Sequence, residues 1–376
     1  MTSSGMYISS NEGLIARYRE WFPTINKNTK IVSLIEGGTP LVPLQNVTKD
    51  FSTDVRIFAK FEGLNPTGSF KDRGMTMAVT QAVNEGSEAI ICASTGNTSA
   101  SAAAYAARAG IKSFVLIPAG KIAMGKLAQA MIHGANIIQI SGSFDDGMRI
   151  VRELGETIPV SIVNSVNPYR LEGQKTAAFE IIDELGRPPD YHYLPVGNAG
   201  NISAYWKGFS EYAGAFQSNY TEFNYPDPKA DSRPVLVGYQ AAGAAPFISG
   251  APVTQPETLA TAIRIGNPQS WDLAWTASRE SDGWFDMLND REILETQRLL
   301  AEKEGLFCEP ASAVSIGGAL RDIKSGKIPD GSTVTCTLTG HGLKDPDTAI
   351  QQSGKVLEVP AQREKVKSAI LGSLPH

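Results

Sequence analysis

The sequence predicts an α/β protein of two domains, built on open, largely parallel sheets with a cleft between them. Three observations lead there. From residue 55 onward, short apolar runs alternate with amphipathic helical ones, the pattern of βαβ units. Some of those apolar runs pass straight into Gly-, Ser-, Thr- and Asn-rich loops that open a helix, such as Cys92 to Ala100 and Pro195 to Ser203. The 376 residues are enough for two domains sharing a cleft.

Taken in order, residues 11–23 read as a short helix stopped by Phe22-Pro23, and Glu36-Gly37-Gly38-Thr39-Pro40-Leu41 as a loop. Residues 55–60 form a strand. Asn65-Pro66-Thr67-Gly68 is then a turn, because proline presets one backbone angle and glycine permits positive φ. A helix follows at 75–83. Strands at 90–93, 113–117, 136–140 and 160–163 alternate with helices at 100–109, 122–133 and 144–154. Right-handed crossovers place such helices on both faces of a sheet. The second half has a helix at 170–185, a strand at 191–196, a helix at 202–212 and a strand at 235–239. Residues 219–231, polar with two prolines, read as a surface loop. Helices at 292–304 and 311–323 precede the last strand, 333–338. The roughly thirty-four residues beyond Gly342 are too few for an added regulatory domain, which needs more than about fifty.

Composition narrows the function classes. Hydrophobic residues make up 42% and charged residues 19%, as in an ordered protein. The net charge of −5, without a long basic block, argues against nucleic acid as a partner. Cys92, Cys308 and Cys336 are the three cysteines, with no CxxC and no Cys/His spacing for a metal. They read as reduced, buried thiols of a cytoplasmic protein. The N-terminal residues lack the basic and apolar regions of a signal peptide. The charge-light run from Ala89 to Ala107 is too polar at 94–99 to span a membrane.

The chemistry centres on Phe61 to Gly74, where the turn leads to Lys71 at the opening of a helix. Such a lysine is ordinarily a solvated surface residue. On a rigid element, with a lowered pKa, it can instead form a Schiff base with a carbonyl. The GxxxxG spacing of Gly63 to Gly68 does not make a Walker loop, because Ser69-Phe70 stands where Lys-Ser/Thr is required. Cys92 to Ala100 offers backbone amides and hydroxyls to an anion, or simply caps a helix. Gly197-Asn198-Ala199-Gly200-Asn201 lets the backbone approach a phosphate at a helix start, or is a tight turn; it is not the dinucleotide GxGxxG. Arg170 is suited to a phosphate oxyanion, or pairs on the surface with an acid such as Glu172. At Leu338 to Asp345, a threonine hydroxyl at a strand end could meet a pyridine nitrogen; Thr339 and Thr337 share that strand face. His341 is a general base or an imidazole on a Gly-His-Gly turn. Glu309-Pro310-Ala311-Ser312 reads as a structural helix cap.

Asn65-Pro66-Thr67-Gly68-Ser69-Phe70-Lys71-Asp72-Arg73-Gly74 resembles the cofactor-lysine segment of pyridoxal 5′-phosphate enzymes of the tryptophan synthase β-subunit fold, most of all the threonine synthase family. Gly38-Thr39-Pro40-Leu41 resembles an early segment of the same group, and the matching motifs run in order from residue 36 to 345. The resemblance implies a two-domain fold with the cofactor in the cleft. Residues 56–169 would form the smaller domain, and 1–55 with 170–376 the larger. It implies that Lys71 carries the cofactor as a Schiff base and works as acid and base. It assigns Asn97 to the phenolic oxygen, Gly197, Asn198, Ala199, Gly200 and Asn201 to the cofactor's phosphate, and Thr339 to the pyridine nitrogen. It assigns Ser94, Thr95, Thr98, Asn164, Ser165 and Arg170 to the substrate, and related enzymes have a segment similar to Glu309-Pro310-Ala311-Ser312 close to the pyridine ring, read here as structural. The implied reaction turns O-phospho-L-homoserine and water into L-threonine and phosphate, in a homodimer with no metal. A serine/threonine dehydratase or another β-eliminase is the nearest alternative, and a pyridoxal-phosphate-binding protein without turnover a remoter one.

Overall fold

The computed structural model describes residues 12–49, 51, 53–118, 124–142, 144–165, 167–216, 223–353 and 356–373. Among these, ten strands form two sheets. They are β1 (Leu41–Leu44), β2 (Arg56–Phe61), β3 (Ala89–Ala93), β4 (Lys112–Pro118), β5 (Asn136–Ile140), β6 (Val160–Ile162), β7 (Tyr191–Pro195), β8 (Val235–Ala241), β9 (Trp284–Leu288) and β10 (Thr333–Leu338). The four-stranded sheet runs β5-β4-β3-β6 and is parallel throughout. The six-stranded sheet runs β1-β2-β10-β7-β8-β9 and is parallel except for its edge pair, β1 with β2.

The expected alternation of strand and helix is present. Every residue of β3 is buried, as is every residue of β10, because parallel strands are covered by crossover helices on both faces. The helix Lys71–Asn84 packs Met75, Ala78 and Val79 with Ile90 and Cys92 of β3 and with Tyr105 of the next helix, Asn97–Ala109. A separate core joins β2, β8 and β10 to the helix Pro310–Lys324 through Ile57, Ala59, Tyr239, Val314, Ile316 and Cys336.

Several elements differ from expectation. A boundary at residue 56 puts 56–61 with the smaller unit, whereas β2 pairs with β1 and β10 in the six-stranded sheet. Its Ile57, Ala59 and Phe61 belong to the same core as Val334, Cys336 and Leu338 of β10. The expected helix at 11–23 is one turn, Leu14–Arg17, followed by a 3₁₀ turn, Arg19–Trp21. Three helices start earlier than their apolar periodicity does, at Lys71, Asn97 and Gly200. The polar residues that open them carry no periodic signal, although they include the candidate site residues Lys71, Asn97 and Asn201. β1, β9 and the helix Trp271–Glu280 carried no clear periodic signal. Proline at position 43 fits β1's place at a sheet edge. Parts of the helix expected at 122–133 and of the loop at 219–231 lie outside the described residues. Among the described residues, no helix is long and apolar enough to cross a membrane.

Candidate active site

The loops that leave β2, β3, β7 and β10 all start at the carboxyl ends of parallel strands, where ligands of open α/β sheets bind. The loop after β2 carries Lys71. Gly68 has φ 86°, open to glycine at little cost, and turns the chain so that the helix begins at Lys71. Two bonds tie this loop to the one after β10: Phe70 N–H donates to the Thr339 carbonyl at 2.9 Å, and His341 N–H donates to the Gly68 carbonyl at 2.9 Å. The Asp72 carboxylate accepts from the Thr67 N–H and hydroxyl, each at 2.6 Å, and from Ser101 Oγ at 2.5 Å. Ser101 lies on the Asn97 helix, so one carboxylate fixes both the lysine turn and its neighbour.

Beneath the turn lies a fully buried ionic network. The Arg73 guanidinium donates to Glu62 at 2.6 and 2.8 Å and to Glu180 at 2.7 and 2.6 Å, and Lys60 reaches Glu180 at 2.7 Å. Such a network holds its members in one geometry, and removal of one partner strands a buried charge. Above it, the half-buried Lys71 amine lies 4.3 Å from the centre of the Phe70 ring. Burial first, and then the Arg170 cation, bring this amine down to about 7, with the Glu309 carboxylate acting in the opposite sense. A fraction of it is therefore neutral, hence nucleophilic, at neutral pH.

The loop after β3 places Ser94, Thr95, Asn97 and Thr98 at the opening of the Asn97 helix. Ser94 Oγ accepts from the Gly96 N–H at 3.2 Å, whereas the Thr95 and Thr98 hydroxyls have no partner among the described residues. Asn97 donates from Nδ2 to Glu309 Oε1 at 2.7 Å. Glu309 stands at the start of the helix Pro310–Lys324, the position that reads as a cap in the sequence. Its side chain makes no capping bond and reaches the site instead. Its local signal in the sequence is its place just before a proline at a helix start, and the family resemblance adds that a similar segment lies close to the pyridine ring.

The loop after β7 forms a cradle. Ala199 adopts φ 64°, unusual without glycine, and leads into the helix Gly200–Tyr212, whose first amides have no intrahelical acceptor. At Gly197 a side chain would come within 3.0 Å of Ile263 Cα. Asn198 is held from two sides, donating to Ser165 Oγ at 3.3 Å and accepting from the Gln269 N–H at 3.1 Å. Asn201 is buried, and its Nδ2 has no partner among the described residues. A buried donor without an acceptor is costly unless a ligand supplies one.

Arg170 is a second buried donor of this kind. One of its nitrogens donates to the Val163 carbonyl at 3.3 Å, its Nε has no partner, and no carboxylate pairs with it among the described residues. Burial lowers its guanidinium to about 10. The surface pairing with Glu172 does not occur; Glu172 pairs with Lys175 and Lys207. Asn164 is engaged differently from Ser165 and Arg170. Its amide exchanges two bonds of 3.0 Å with the backbone of Ala93, which leaves it closing the end of β3.

The two threonines separate clearly. Thr337 is enclosed within the sheet, bonded to Tyr205 at 2.8 Å and His192 at 3.1 Å. Thr339, beyond the strand end, shares a 2.8 Å bond with Ser312. The His341 imidazole accepts from the Leu343 N–H at 3.1 Å and stacks on Phe61, so it is built into its own turn. Cys92, Cys308 and Cys336 are all buried free thiols.

Comparison with known proteins identifies the family. The family description "Pyridoxal-phosphate dependent enzyme" matches residues 32–340. The threonine synthase of Synechocystis sp. is 58% identical over 91% of this chain and 86% of its own length. That of Mycobacterium tuberculosis is 57% identical over 93% of each chain, and that of Bacillus sp. is 53% identical over 96% and 98%. Among solved structures, maize serine racemase superposes with a TM-score of 0.69 at 19% identity, covering 84% of this chain and 91% of the other. Threonine deaminase isoform 2 of Solanum lycopersicum gives 0.67 at 19% identity, covering 83% and 86%; at such identities the likeness is one of fold. With the family match over most of its length and relatives well above half identical, the chain belongs to the pyridoxal-phosphate dependent enzyme family, in the branch that holds the threonine synthases.

Proposed function

We propose that the chain is a threonine synthase, which converts O-phospho-L-homoserine and water to L-threonine and phosphate. The observation that carries the reading is the presence of two buried donors without a partner among the described residues, Asn201 Nδ2 and Arg170 Nε, the latter near enough to Lys71 to lower its amine. A phosphorylated cofactor and a phosphorylated substrate each need an anion site. A dehydratase acting on an unphosphorylated amino acid needs only the first.

The residues present fit pyridoxal phosphate. The cradle Gly197–Asn201 offers free helix amides and the Asn201 donor to the phosphate. Lys71 would hold the aldehyde carbon, Asn97 the phenolic oxygen and Thr339 the pyridine nitrogen. When bound, the cofactor supplies an electron-withdrawing ring that stabilises negative charge on the substrate's carbon skeleton. Thr339 gives that ring a neutral hydroxyl partner rather than a carboxylate, which leaves the sink moderate and favours elimination and addition over transamination.

The chain's own residues then do the following work. Lys71 Nζ, brought near neutrality, takes and returns protons at the substrate's α- and β-carbons. Arg170 and Ser165 bind the substrate's phosphate, which departs from the γ-carbon, and water adds at the β-carbon. Ser94, Thr95 and Thr98 receive the substrate's carboxylate or phosphate with hydroxyls at a helix start. Asn164 fixes the loop on which Ser165 stands, through its paired bonds to Ala93. We further place the enzyme in the cytoplasm, which suits three free buried thiols, and as a homodimer, whose mass sedimentation measures.

The test is substrate choice. Purified holoenzyme is offered O-phosphohomoserine and, separately, L-threonine and L-serine. Phosphate from the first without keto acid from the others supports the synthase. Keto acid from threonine or serine, with no phosphate release, would overturn it in favour of the dehydratase.

A further inference from the structure

We propose that Glu309 is a positioning residue that fixes the orientation of the Asn97 side-chain amide and so presents its second N–H to the ring oxygen of the cofactor. The inference rests on the reading of Asn97 as the partner of that oxygen.

Three features of the structure support it. First, Glu309 stands at the N-cap of the helix Pro310–Lys324, a position where the shorter side chains of Ser, Thr, Asp or Asn accept from the first helical amides. It makes no such bond, and its Oε1 accepts from Asn97 Nδ2 at 2.7 Å. Second, room has been made for this reach. A β-carbon on Gly340 would sit 2.6 Å from the Glu309 carboxyl carbon, so only glycine at 340 lets the carboxylate lie there. The Glu309 N–H donates to the Gly340 carbonyl at 3.0 Å, which fixes the backbone at that approach. Third, the bond joins the two sheets. Glu309 rides on the helix packed against the six-stranded sheet, and Asn97 opens the helix that follows β3 of the four-stranded one.

The chemistry gives the bond its meaning. An asparagine amide can present either its oxygen or its nitrogen to a ligand, and rotation by half a turn exchanges them. A carboxylate only accepts, so Glu309 selects the rotamer in which Nδ2 faces it. The remaining N–H of that nitrogen is then a donor available to a ring oxygen, whose anionic form a donor stabilises. Asn97 without Glu309 would be free to turn its oxygen toward the same atom, which repels the anion.

The experiment reads the visible absorption of the bound cofactor across the neutral pH range, with cofactor content checked by borohydride reduction and mass. The proteins are wild type, Asn97→Ala, Glu309→Ala, Glu309→Asp, Glu309→Gln and the double Asn97→Ala/Glu309→Ala. Loss of one charge-stabilising hydrogen bond corresponds to a shift of about one unit in the apparent pKa of the ring-oxygen form. The expected result is an upward shift of that size in Asn97→Ala and in Glu309→Ala, none in Glu309→Gln, whose amide oxygen still accepts, and no further shift in the double variant. If Glu309→Ala fails to fold or load, Glu309→Asp, one methylene too short to reach, is expected to show the same shift. An unshifted Glu309→Ala or Glu309→Asp beside a shifted Asn97→Ala would overturn the proposal, as would additive shifts in the double variant or a Gln variant that behaves like Ala. An unshifted Asn97→Ala would remove the reading on which it rests. The spectrum is read without substrate, so its result stands whichever reaction the enzyme is found to catalyse.

Discussion

The backbone N–H of Phe70 donates to the carbonyl of Thr339 at 2.9 Å, so the residue before the lysine and the threonine at the end of β10 are fixed to one another. These two positions come from loops more than half the chain apart in sequence. Their bond sets the distance between the amine of Lys71 and the hydroxyl of Thr339, the two groups assigned to opposite ends of the cofactor's ring system.

Thr339 and Thr337 therefore have separable roles. Thr339→Val is expected to lower kcat about tenfold and change the absorption of the bound cofactor, with little change in melting temperature. Thr337→Val leaves Tyr205 and His192 with a lost partner inside the sheet and is expected to destabilise the fold by about 1–3 kcal/mol. Denaturant unfolding and cofactor spectra on both variants distinguish the two; exchanged effects would show that the assignment is reversed.

Among the described residues, Arg170 is a buried cation with no carboxylate paired to it. Replacement by methionine removes a charge held out of water, so the variant is expected to melt at the same or a higher temperature than wild type. The KM for O-phosphohomoserine is expected to rise about ten- to a hundredfold, the loss of a charge-assisted bond. A destabilised Arg170→Met with unchanged KM would make this arginine a structural residue.

Lys71 should make cofactor capture dependent on pH. Its amine is brought down to about 7 by burial, with Arg170 adding to the effect. The amine reacts only when neutral, so the rate at which apoenzyme captures pyridoxal phosphate is expected to rise with pH and level off above about 7. In Arg170→Met the midpoint moves up, since a neighbouring positive charge is gone. Stopped-flow absorbance measures both; a midpoint in the ordinary lysine range would contradict the burial seen here.

The ionic network beneath the site predicts acid sensitivity. Burial alone would raise the Glu180 carboxyl, but Arg73 and Lys60 outweigh it and hold it well below the usual glutamate range. A carboxyl depressed in the folded state contributes stability above its unfolded pKa, and that contribution is lost as pH falls from the ordinary glutamate range downward. Arg73→Met, which strands Glu62 and leaves Glu180 with Lys60 as its cationic partner, is expected to cost about 3–5 kcal/mol. Urea unfolding of wild type and Arg73→Met at neutral and acid pH tests both statements; equal stabilities at neutral pH would contradict the network's role.

Much of this was legible in the chain, and the reasons are local. The parallel-sheet architecture follows from apolar runs such as 89–93, whose burial on both faces leaves a continuous hydrophobic signal. Lys71, Gly197 to Asn201 and Thr339 each lie in or beside a loop whose composition alone marks a strand-to-helix turn or a strand end. What escaped notice depends on contacts distant in sequence. Glu309 reads as a cap because nothing nearby reveals Asn97, 212 positions away, as its partner. The six-stranded sheet takes β2 because its apolar face matches β10, which no window around residue 56 contains. The bonds between Asn164 and the backbone of Ala93 join residues 71 positions apart, which only the folded chain brings together.

The most direct test runs wild type and Lys71→Ala side by side with pyridoxal phosphate and O-phosphohomoserine, following phosphate and threonine together. The account predicts equimolar phosphate and threonine from wild type and neither product from Lys71→Ala. Product formation by Lys71→Ala at the wild-type rate, or phosphate released by wild type without threonine, would contradict it.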